Sequence, residues 1–521
     1  MMKIDFEKIS SLKLYFLTVL LTFFFLGIPS IFRPMHTPDE ARYAEVSRET
    51  LENRHWLIPH INSVPHLSKP PLYYNIVAIS FAIFGQNHFA LRLVSILSFL
   101  ISLLFSMKWV DEYGGRKASI LTLIISLSMI QLAGGGQFGD LNMLFTSFLT
   151  IGLLLMFDAL IDTTNTQKWF LAWIFLALGF LTKGPPAIMI FIGTLLVFRF
   201  VTRRPFKLRF SRWIFAILIY CVIAFPWYIW IIFQEGGKIF NFWYTNIFNR
   251  TTLLSSSKPL SLFLFYIPVF LIGSSGWGGL ILYQGWRAIR DEYHKFKRFK
   301  FINACKEVIS RLPLVEQYLL MWVFFTIFAF SIMRAYMISY IQPLFPPFAI
   351  LLSLYIVRQG QNTNLKNLVR KITIFSFIFT YILIWGISFL FYFGMRNPVI
   401  SNIFSRAIEP DVVAIEIAKR RNENFTLVQY DEFCPLFNFV SKRNSILVKE
   451  SVHHDWASPS ELSARKYEIL RRIDNNEPLL ILLNLKDLKK INPEQHKNLK
   501  IIFSGKEYIL LSTLPFDRNN K

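Results

Sequence analysis

Long apolar runs, separated by short polar loops, make up most of the chain. An apolar run of about 20 residues crosses a bilayer as an α-helix, because lipid offers backbone amides no other partner. The pattern therefore predicts a mainly α fold, a polytopic transmembrane helical bundle of about 11–13 spans. The runs cover approximately residues 14–32, 89–110, 117–134, 141–161, 168–182, 184–202, 212–234, 260–283, 314–333, 337–357 and 371–393.

The stretch 71–85 is apolar but short, and it follows Pro70. Charge decides between a span and an interfacial helix here, because basic loops favour the cytoplasmic side. If 71–85 lies in the interface, the basic loops all fall on one side and the bundle has about 11 spans; if it spans, a further unseen span brings the total to about 13. We expect the interfacial arrangement. The basic loops are 199–212, 287–311 and 358–371, with weaker ones at Arg116-Lys117 and at the N-terminus.

The same topology places polar groups that are far apart in sequence on one outer surface. Ionisable side chains beside a membrane are costly unless they serve a function, so their convergence is what a single active site requires. The groups concerned are the outer loop 33–88, Asp140, Lys183, the loop 235–258 and Arg334.

The composition is that of a membrane protein, and this changes how the high net positive charge is interpreted. The 521 residues are 53% hydrophobic and 17% charged, and the mean hydropathy is +0.41. A formal net charge of +23 would suggest nucleic acid in a soluble protein. Here the excess lies largely in short loops between spans, which the positive-inside rule explains, so no nucleic-acid partner is predicted.

The segment 396–521 has a different pattern, with more charge and apolar runs of strand length. This pattern predicts a small α/β domain, extracytoplasmic if the number of spans is odd, after a transmembrane domain at 1–395. The predicted strands are 425–430, 445–448, 479–483, 501–503 and 508–511, and the predicted helices are 412–421, 461–473 and 485–491.

A polar segment, Thr37–Pro71, follows the first apolar run. It contains the acidic pair Asp39-Glu40, then Arg42 and later Lys69. Charges of both signs at a membrane surface suit a proton-accepting or cation-binding group beside a phosphate-binding group.

Each of these charged residues also has a structural interpretation. Asp39 and Glu40 are acids of the type that opens a helix, and Asp140 after a glycine-rich stretch could equally cap one. Lys69 could anchor the interface through its apolar stem. Lys183, followed by Gly184-Pro185, is typical of a tight turn with an anchoring lysine.

Four motifs in order resemble those of bacterial integral-membrane (GT-C) glycosyltransferases. The resemblance is to the aminoarabinose lipid A transferases and the wider protein O-mannosyltransferase-like group, and it covers roughly residues 10–395. The motifs are Asp39-Glu40-Ala-Arg42-Tyr43-Ala-Glu45 with Lys69-Pro70-Pro71-Leu-Tyr73-Tyr74, Gly139-Asp140-Leu-Asn-Met-Leu-Phe-Thr, Leu181-Thr182-Lys183-Gly184-Pro185, and Phe330-Ser331-Ile-Met-Arg334 with Tyr340-Ile-Gln-Pro343.

The resemblance implies transfer of a sugar, with inversion, from a polyprenyl-phosphate donor to lipid A, another envelope glycan or a protein. It implies a multi-pass protein of the bacterial inner membrane whose active site is periplasmic. By resemblance Asp39, Glu40 and Asp140 are the catalytic acidic residues, and Asp39 is a general base or orients the acceptor. The resemblance further assigns Lys69 and Tyr340 to the donor phosphate. Arg334 could assist in binding that phosphate, and Arg42 and Tyr43 could line the substrate site; interface anchoring is the alternative for these three. Arg250 lies in a loop whose mixture of residues suits substrate contact or an aromatic belt.

The sequence departs from the family at Ser68, where the aminoarabinose transferases have a glutamate implicated in metal binding. A divalent metal therefore stays open, with His66 as the nearest alternative ligand. The departure also leaves open whether the sugar is aminoarabinose.

A transporter or flippase of lipid-linked or sugar substrates is the main alternative function. Transporters place ionisable residues near the bilayer midplane and are built from inverted repeats. The charges here cluster in predicted outer loops, and no internal repeat is visible, so the glycosyltransferase is favoured.

Overall fold

The structure, a computed structural model, is mainly helical, which confirms the predicted fold class. By internal contacts it divides into two compact units: the first comprises 1–28, 68–73 and 92–384, and the second 29–67, 74–91 and 385–521. The residues that the structure describes are 10–33, 35, 39–203, 209–237, 239–240, 243, 264–293, 300–333, 337–360, 362–394, 405–420, 422–430, 433–448, 468–469, 471–484, 499–506 and 508–513.

Helices follow the apolar runs in order. They are α1 Ser11–Phe32, α2 Asp39–Glu52, α3 Leu72–Phe84, α4 His88–Ser128, α5 Ile130–Gln137, α6 Leu141–Ile161, α7 Thr166–Lys183, α8 Pro186–Thr202, α9 Phe210–Ala224, α10 Pro226–Glu235, α11 Tyr266–Gly273, α12 Trp277–Tyr293, α13 Lys300–Ser310, α14 Leu314–Ile332, α15 Phe345–Arg358, α16 Thr363–Gly394, α17 Ser405–Lys419 and α18 Pro435–Ser441. A 3₁₀ segment, Ile338–Leu344, leads into α15.

Among the described residues, six helices are long and apolar enough to cross a membrane, or up to eight if each of two bent pairs counts as one span. This number is below the expected 11 for identifiable reasons. The predicted spans 89–110 and 117–134 lie in α4 and α5. His88–Ser128 counts as one helix in this number, although Gly115, with a φ of 70°, is non-helical and kinks the chain between the two predicted spans. The predicted spans 168–182 and 184–202 correspond to α7, which has polar residues at both ends, and to the shorter α8. The stretch 71–85, which is not among the 11 expected spans, forms the short helix α3.

Buried hydroxyl groups support a sharp break in the first unit. Helices α11 and α12 are bent by 114° relative to each other, and the connecting Ser275 and Gly276 have positive φ. The Ser275 hydroxyl accepts a hydrogen bond from the Ile130 N–H at 2.9 Å, and the Thr380 hydroxyl donates to the Ser128 carbonyl at 2.7 Å. Because unpaired backbone groups are costly in an apolar environment, these hydroxyls allow helices to end at buried positions.

A mixed β-sheet forms the centre of the C-terminal part of the second unit. In the described part of the chain its strands are β3 Thr426–Gln429, β4 Ser445–Leu447, β5 Leu479–Asn484, β6 Lys500–Ser504 and β7 Tyr508–Ser512, in the order β4-β3-β5-β7-β6. Strand β3 pairs in parallel with β4 and β5, and β7 pairs antiparallel with β5 and β6. Buried Val428, Ile481 and Leu511 contribute to its core.

These strands coincide with the five predicted ones, and α17 covers most of the predicted helix 412–421. The predicted helix 461–473 is described only near its end, and 485–491 lies outside the described residues. Helix α18 was not predicted, because seven residues are too few for a period. Its start at Pro435 follows the usual preference for proline in a first helical turn.

The second unit also contains the outer-loop residues 29–67. Helix α2 packs against α18, and a short antiparallel hairpin, β1 His60–Ile61 with β2 Val64–Pro65, follows α2. The ring of Phe81 on α3 lies 5.7 Å from that of Phe439 on α18. The helix that begins at Asp39 is therefore supported by the C-terminal part of the chain.

Candidate active site

Asp140 opens α6 and holds the next polar residue of its motif. Its Oδ1 accepts the backbone N–H of Asn142 at 2.8 Å, and its Oδ2 accepts the Asn142 side-chain N–H at 2.6 Å. Asp140 therefore caps α6, as its structural interpretation in the sequence predicted, because its carboxylate accepts a backbone N–H of the first helical turn. The same carboxylate fixes the orientation of the Asn142 amide.

Lys183 is the last residue of α7, beyond the predicted span 168–182, and its side chain is buried. Its Nζ donates to Asn142 Oδ1 at 2.6 Å. The Nζ also lies 4.8 Å from the centre of the Tyr340 ring and 5.1 Å from that of Phe145. Asp140, Asn142 and Lys183 therefore form a hydrogen-bonded series that aims a lysine into an aromatic setting.

The electrostatics around Lys183 favour an anion. Burial, with the nearby positive charge of Lys69, lowers the pKa of Lys183 to about 7, while the Asp140 carboxylate offsets part of that change. A negatively charged ligand would remove the repulsion between the two lysines and restore the charged form of Lys183. Lys69 itself is half-buried, in the bend before α3.

Gly184 makes the turn that follows Lys183 possible. Its φ is 84°, and a Cβ there would lie 2.9 Å from the Tyr228 hydroxyl. The Lys-Gly-Pro sequence thus ends α7 at a position where other residues are strained.

Replacing this glycine should destabilise the protein. For Gly184→Ala we expect the free energy of unfolding to fall by about 1–3 kcal/mol, because positive φ and the Tyr228 contact both disfavour a side chain. The apparent melting temperature in detergent measures the effect. Gly285→Ala is the matched control, since no atom lies within 4 Å of its Cβ position. Equal melting temperatures for Gly184→Ala and Gly285→Ala would contradict the strain at Gly184.

Asp39 is at the start of α2 in the second unit. Its Oδ1 lies 2.6 Å from Nη2 of Arg42, one turn later, and 42% of its side chain is exposed. The guanidinium of Arg42 also lies 5.5 Å from the centre of the Tyr43 ring. Asp39 therefore combines access to solvent with a fixed orientation, which suits a carboxylate that acts on a substrate.

Glu40 has different surroundings, although it is next in sequence. Its side chain is only 1% exposed, and its Oε1 lies 3.0 Å from Nη2 of Arg33. A buried carboxylate that pairs with an arginine is typical of a structural contact. A catalytic role for Glu40 stays a prediction, because the ion pair with Arg33 also explains why a carboxylate is buried at this position.

The described residues do not fit a divalent-metal site near Ser68. No three His, Cys, Asp or Glu side chains come together as a ligand set within the described ranges. His66 is buried, and its ring lies 6.1 Å from that of Tyr74. Tyr74 in turn lies 5.8 Å from Tyr43, so this histidine belongs to an aromatic group.

Two predicted site residues, Arg334 and Arg250, lie outside the described residues, as does most of the loop 235–258. The structure brings Tyr340 to Lys183, as a shared role would require. The motifs do not by themselves select Asn142, and the sequence predicts Lys183 mainly as a turn residue. The position of Asn142, two residues after Asp140 in the same motif, was the available indication.

Comparison with known proteins agrees with these features. A family model described as dolichyl-phosphate-mannose-protein mannosyltransferase matches residues 68–230, which include Lys69, Asp140 and Lys183. The undecaprenyl phosphate-alpha-4-amino-4-deoxy-L-arabinose arabinosyl transferase of Erwinia tasmaniensis is 28% identical over 334 residues, which are 63% of this chain and 56% of that protein. The arabinosyl transferase 1 of Proteus mirabilis is 29% identical over 66% of this chain and 59% of its own length. The chain thus spans less than two thirds of these relatives.

Solved structures extend the similarity of fold to nearly the whole chain. ArnT from Cupriavidus metallidurans in the apo state superposes with a TM-score of 0.71 at 16% identity, over 96% of this chain and 98% of that one. The same protein bound to undecaprenyl phosphate gives a TM-score of 0.71 at 17% identity, over 97% and 99%. The resemblance inferred from the motifs is therefore confirmed: the chain is similar, in sequence and in fold, to the GT-C integral-membrane glycosyltransferases that the arabinosyl transferases represent.

Proposed function

We propose that this protein transfers a sugar from a polyprenyl-phosphate donor to lipid A, another envelope glycan or a protein. We further propose that it does so in a bacterial inner membrane, with its active site on the periplasmic side. The names of its relatives describe transfer from undecaprenyl phosphate, and a solved structure of the same fold contains that lipid phosphate. Both support a donor of this class for the present chain.

The observation that carries the proposal is the setting of Lys183. A buried ammonium group is held by Asn142, its pKa is lowered, and a second lysine, Lys69, adds to the positive field. Such a group is unfavourable by itself and favourable once an anion binds. The phosphate of the donor has the required charge, and it becomes more negative as the sugar leaves, so these lysines stabilise the transition state most strongly.

The reaction can then be written with side chains of this chain alone. The acceptor hydroxyl oxygen attacks the anomeric carbon, the bond from that carbon to the phosphate oxygen breaks, and the phosphate leaves with the electron pair. Asp39 takes the hydroxyl proton, and Arg42 holds its carboxylate in position. A single displacement of this kind inverts the anomeric configuration. If the acceptor is a phosphate, which is already ionised, Asp39 positions it instead.

A transfer assay tests the proposal. Purified protein in lipid nanodiscs is given polyprenyl-phosphate donors that carry different sugars, together with lipid A or envelope glycans, and products are identified by mass spectrometry. We expect a glycosylated acceptor with at least one donor, and much less of it with Lys69→Ala. If no donor is consumed while protein in liposomes moves a lipid-linked sugar across the bilayer, the transporter is the better account.

The proposed orientation has its own test. In a protein whose native Cys221, Cys305 and Cys434 are replaced by serine, Asn53→Cys and Lys117→Cys each introduce one exposed thiol. In intact spheroplasts we expect a membrane-impermeant maleimide to label position 53 and to leave position 117 unlabelled until lysis, because the charge asymmetry puts them on opposite sides. Labelling of both positions before lysis would contradict the proposed topology.

A further inference from the structure

The side chain of Asn62, in the turn of the β1–β2 hairpin, bonds this turn to the edge of the C-terminal sheet. Its Oδ1 accepts the backbone N–H of Ser445 at 2.8 Å, and its Nδ2 donates to the Ser445 carbonyl at 2.9 Å. Ser445 is the first residue of β4, which is the edge strand of the sheet. The Asn62 amide therefore pairs with both polar groups of one strand residue, as a neighbouring strand would.

A fully buried residue on α18 completes the contact. Asn438 is 0% exposed, and its Nδ2 donates to Asn62 Oδ1 at 2.8 Å. Its own Oδ1 accepts from the Gln429 side chain of β3 at 2.8 Å. Buried amides are stable only when their hydrogen bonds are made, so Asn62 is a required partner and not an incidental neighbour. We name Asn62, Asn438 and Ser445 the Asn62 latch.

The other side of the hairpin turn is bonded to α2. Asn62 and Ser63 have φ values of 54° and 64°, the left-handed geometry of a tight hairpin turn. In that geometry both backbone N–H groups donate to the carboxylate of Glu49, with a distance of 3.0 Å from Ser63. Glu49 is buried on α2, the helix that begins at Asp39.

A second connection runs parallel to the first. Arg48, also buried on α2, donates to Glu45 on its own helix at 2.7 Å and to the Asn444 side chain at 3.0 Å. Asn444 immediately precedes the edge strand and donates in turn to the Ser63 hydroxyl. Asn444, 396 residues away in sequence, therefore contacts α2 directly at Arg48. Ser445 reaches the adjacent Glu49 through Asn62 of the hairpin turn.

We propose that the C-terminal α/β domain acts as a positioning element for α2, and that the Asn62 latch is the contact through which it fixes the helix that begins at Asp39. The consequence for activity rests on the proposed function, because it requires Asp39 to act on the acceptor. Asn62 and Asn438 are positioning residues in this account, and neither touches the reacting atoms.

Hydrogen exchange tests the positioning without requiring activity. Asn62→Gly removes the amide side chain and keeps a residue that accepts positive φ. For the protein in nanodiscs we expect amide exchange in the second half of α2 to become about tenfold faster or more, the loss expected for a buried hydrogen-bonded contact. Arg54→Gly is the matched control, since Arg54 also has a positive φ, 59°, and is exposed.

Asn438→Ala, alone and combined with Asn62→Gly, shows whether faster exchange comes from loss of the latch hydrogen bonds or from a local effect of the new glycine. Because both residues belong to one network, we expect the double variant to exchange in α2 no faster than the more affected single variant. Additive increases, or exchange in α2 equal to that of the wild type, would overturn the proposal.

Transfer kinetics then test the consequence. We expect Asn62→Gly to lower kcat about tenfold, with the donor KM within about twofold of the wild type, because the donor lysines belong to the other unit. Unchanged kcat beside faster exchange would make the latch a merely structural contact and overturn its positioning role. If the wild type itself transfers no sugar, the proposed function fails, and the exchange result alone decides whether the C-terminal domain fixes α2.

Discussion

Replacing Asp39 by asparagine lowers kcat for transfer to a hydroxyl acceptor by about 10²–10⁴-fold, which is the range that a positioned general base supplies. The amide keeps the size of the carboxylate but cannot take the acceptor proton. Because the Asp39–Arg42 pair is partly exposed, its loss changes stability by only about 0–1 kcal/mol. The measurement is the initial rate of acceptor glycosylation at saturating donor, with the melting temperature measured in parallel.

Glu416→Gln is the control for this experiment. Glu416 also pairs with a cation one turn later, Lys419 at 2.7 Å, on a helix surface. It loses the same kind of ion pair and should transfer sugar at the wild-type rate. Equal rates for Asp39→Asn and Glu416→Gln with a hydroxyl acceptor would contradict the assignment of Asp39 as the base.

Lys183 should give transfer its dependence on pH. Because its pKa is lowered to about 7, the amine loses its proton as the pH rises above that value, and the donor then meets a neutral group. In the wild type we expect kcat/KM for the donor to fall about tenfold per pH unit above about pH 7, since this ratio reports ionisation of the free enzyme. In Lys183→Arg the fall should disappear, because an arginine keeps its charge.

Two further variants complete the test of Lys183. Lys183→Ala should lower kcat/KM by about 10²–10³-fold at neutral pH, as expected when a charge that stabilises the leaving group is lost. Lys168→Arg, the same exchange near the start of α7, should keep the wild-type pH profile, because Lys168 pairs with Asp158 at 2.6 Å. An undiminished fall in activity at high pH with Lys183→Arg would show that another group titrates.

Much of the fold could be predicted, because helices that cross a lipid bilayer are identified in the sequence by the length and apolarity of their runs. The run 141–161 coincides with α6, and the strand 479–483 coincides with β5. The breaks between helices, such as the one between α11 and α12, could not be predicted from the sequence. The turn at Ser275 depends on the Thr380 hydroxyl, which lies 3.0 Å from the Ser275 hydroxyl and donates to the Ser128 carbonyl, and no local pattern connects these three residues.

The candidate site could be predicted in part. The charged motifs identified Asp39, Lys69 and Asp140 as ionisable groups beside the membrane, but their surroundings depend on residues distant in sequence. Asn142 matters because Lys183, 41 residues later, donates to it. Glu40 was grouped with Asp39 by adjacency, and the structure separates them because Arg33 pairs with Glu40.

A single-turnover reaction in nanodiscs with an isotopically labelled polyprenyl-phosphate sugar distinguishes sugar transfer from lipid transport. We expect one free polyprenyl phosphate for each sugar that appears on the acceptor, with inverted configuration. We also expect Asp39→Asn and Lys183→Ala to slow both products together. Donor that stays intact while labelled lipid crosses the bilayer, or donor cleavage at the wild-type rate in both variants, would contradict these expectations.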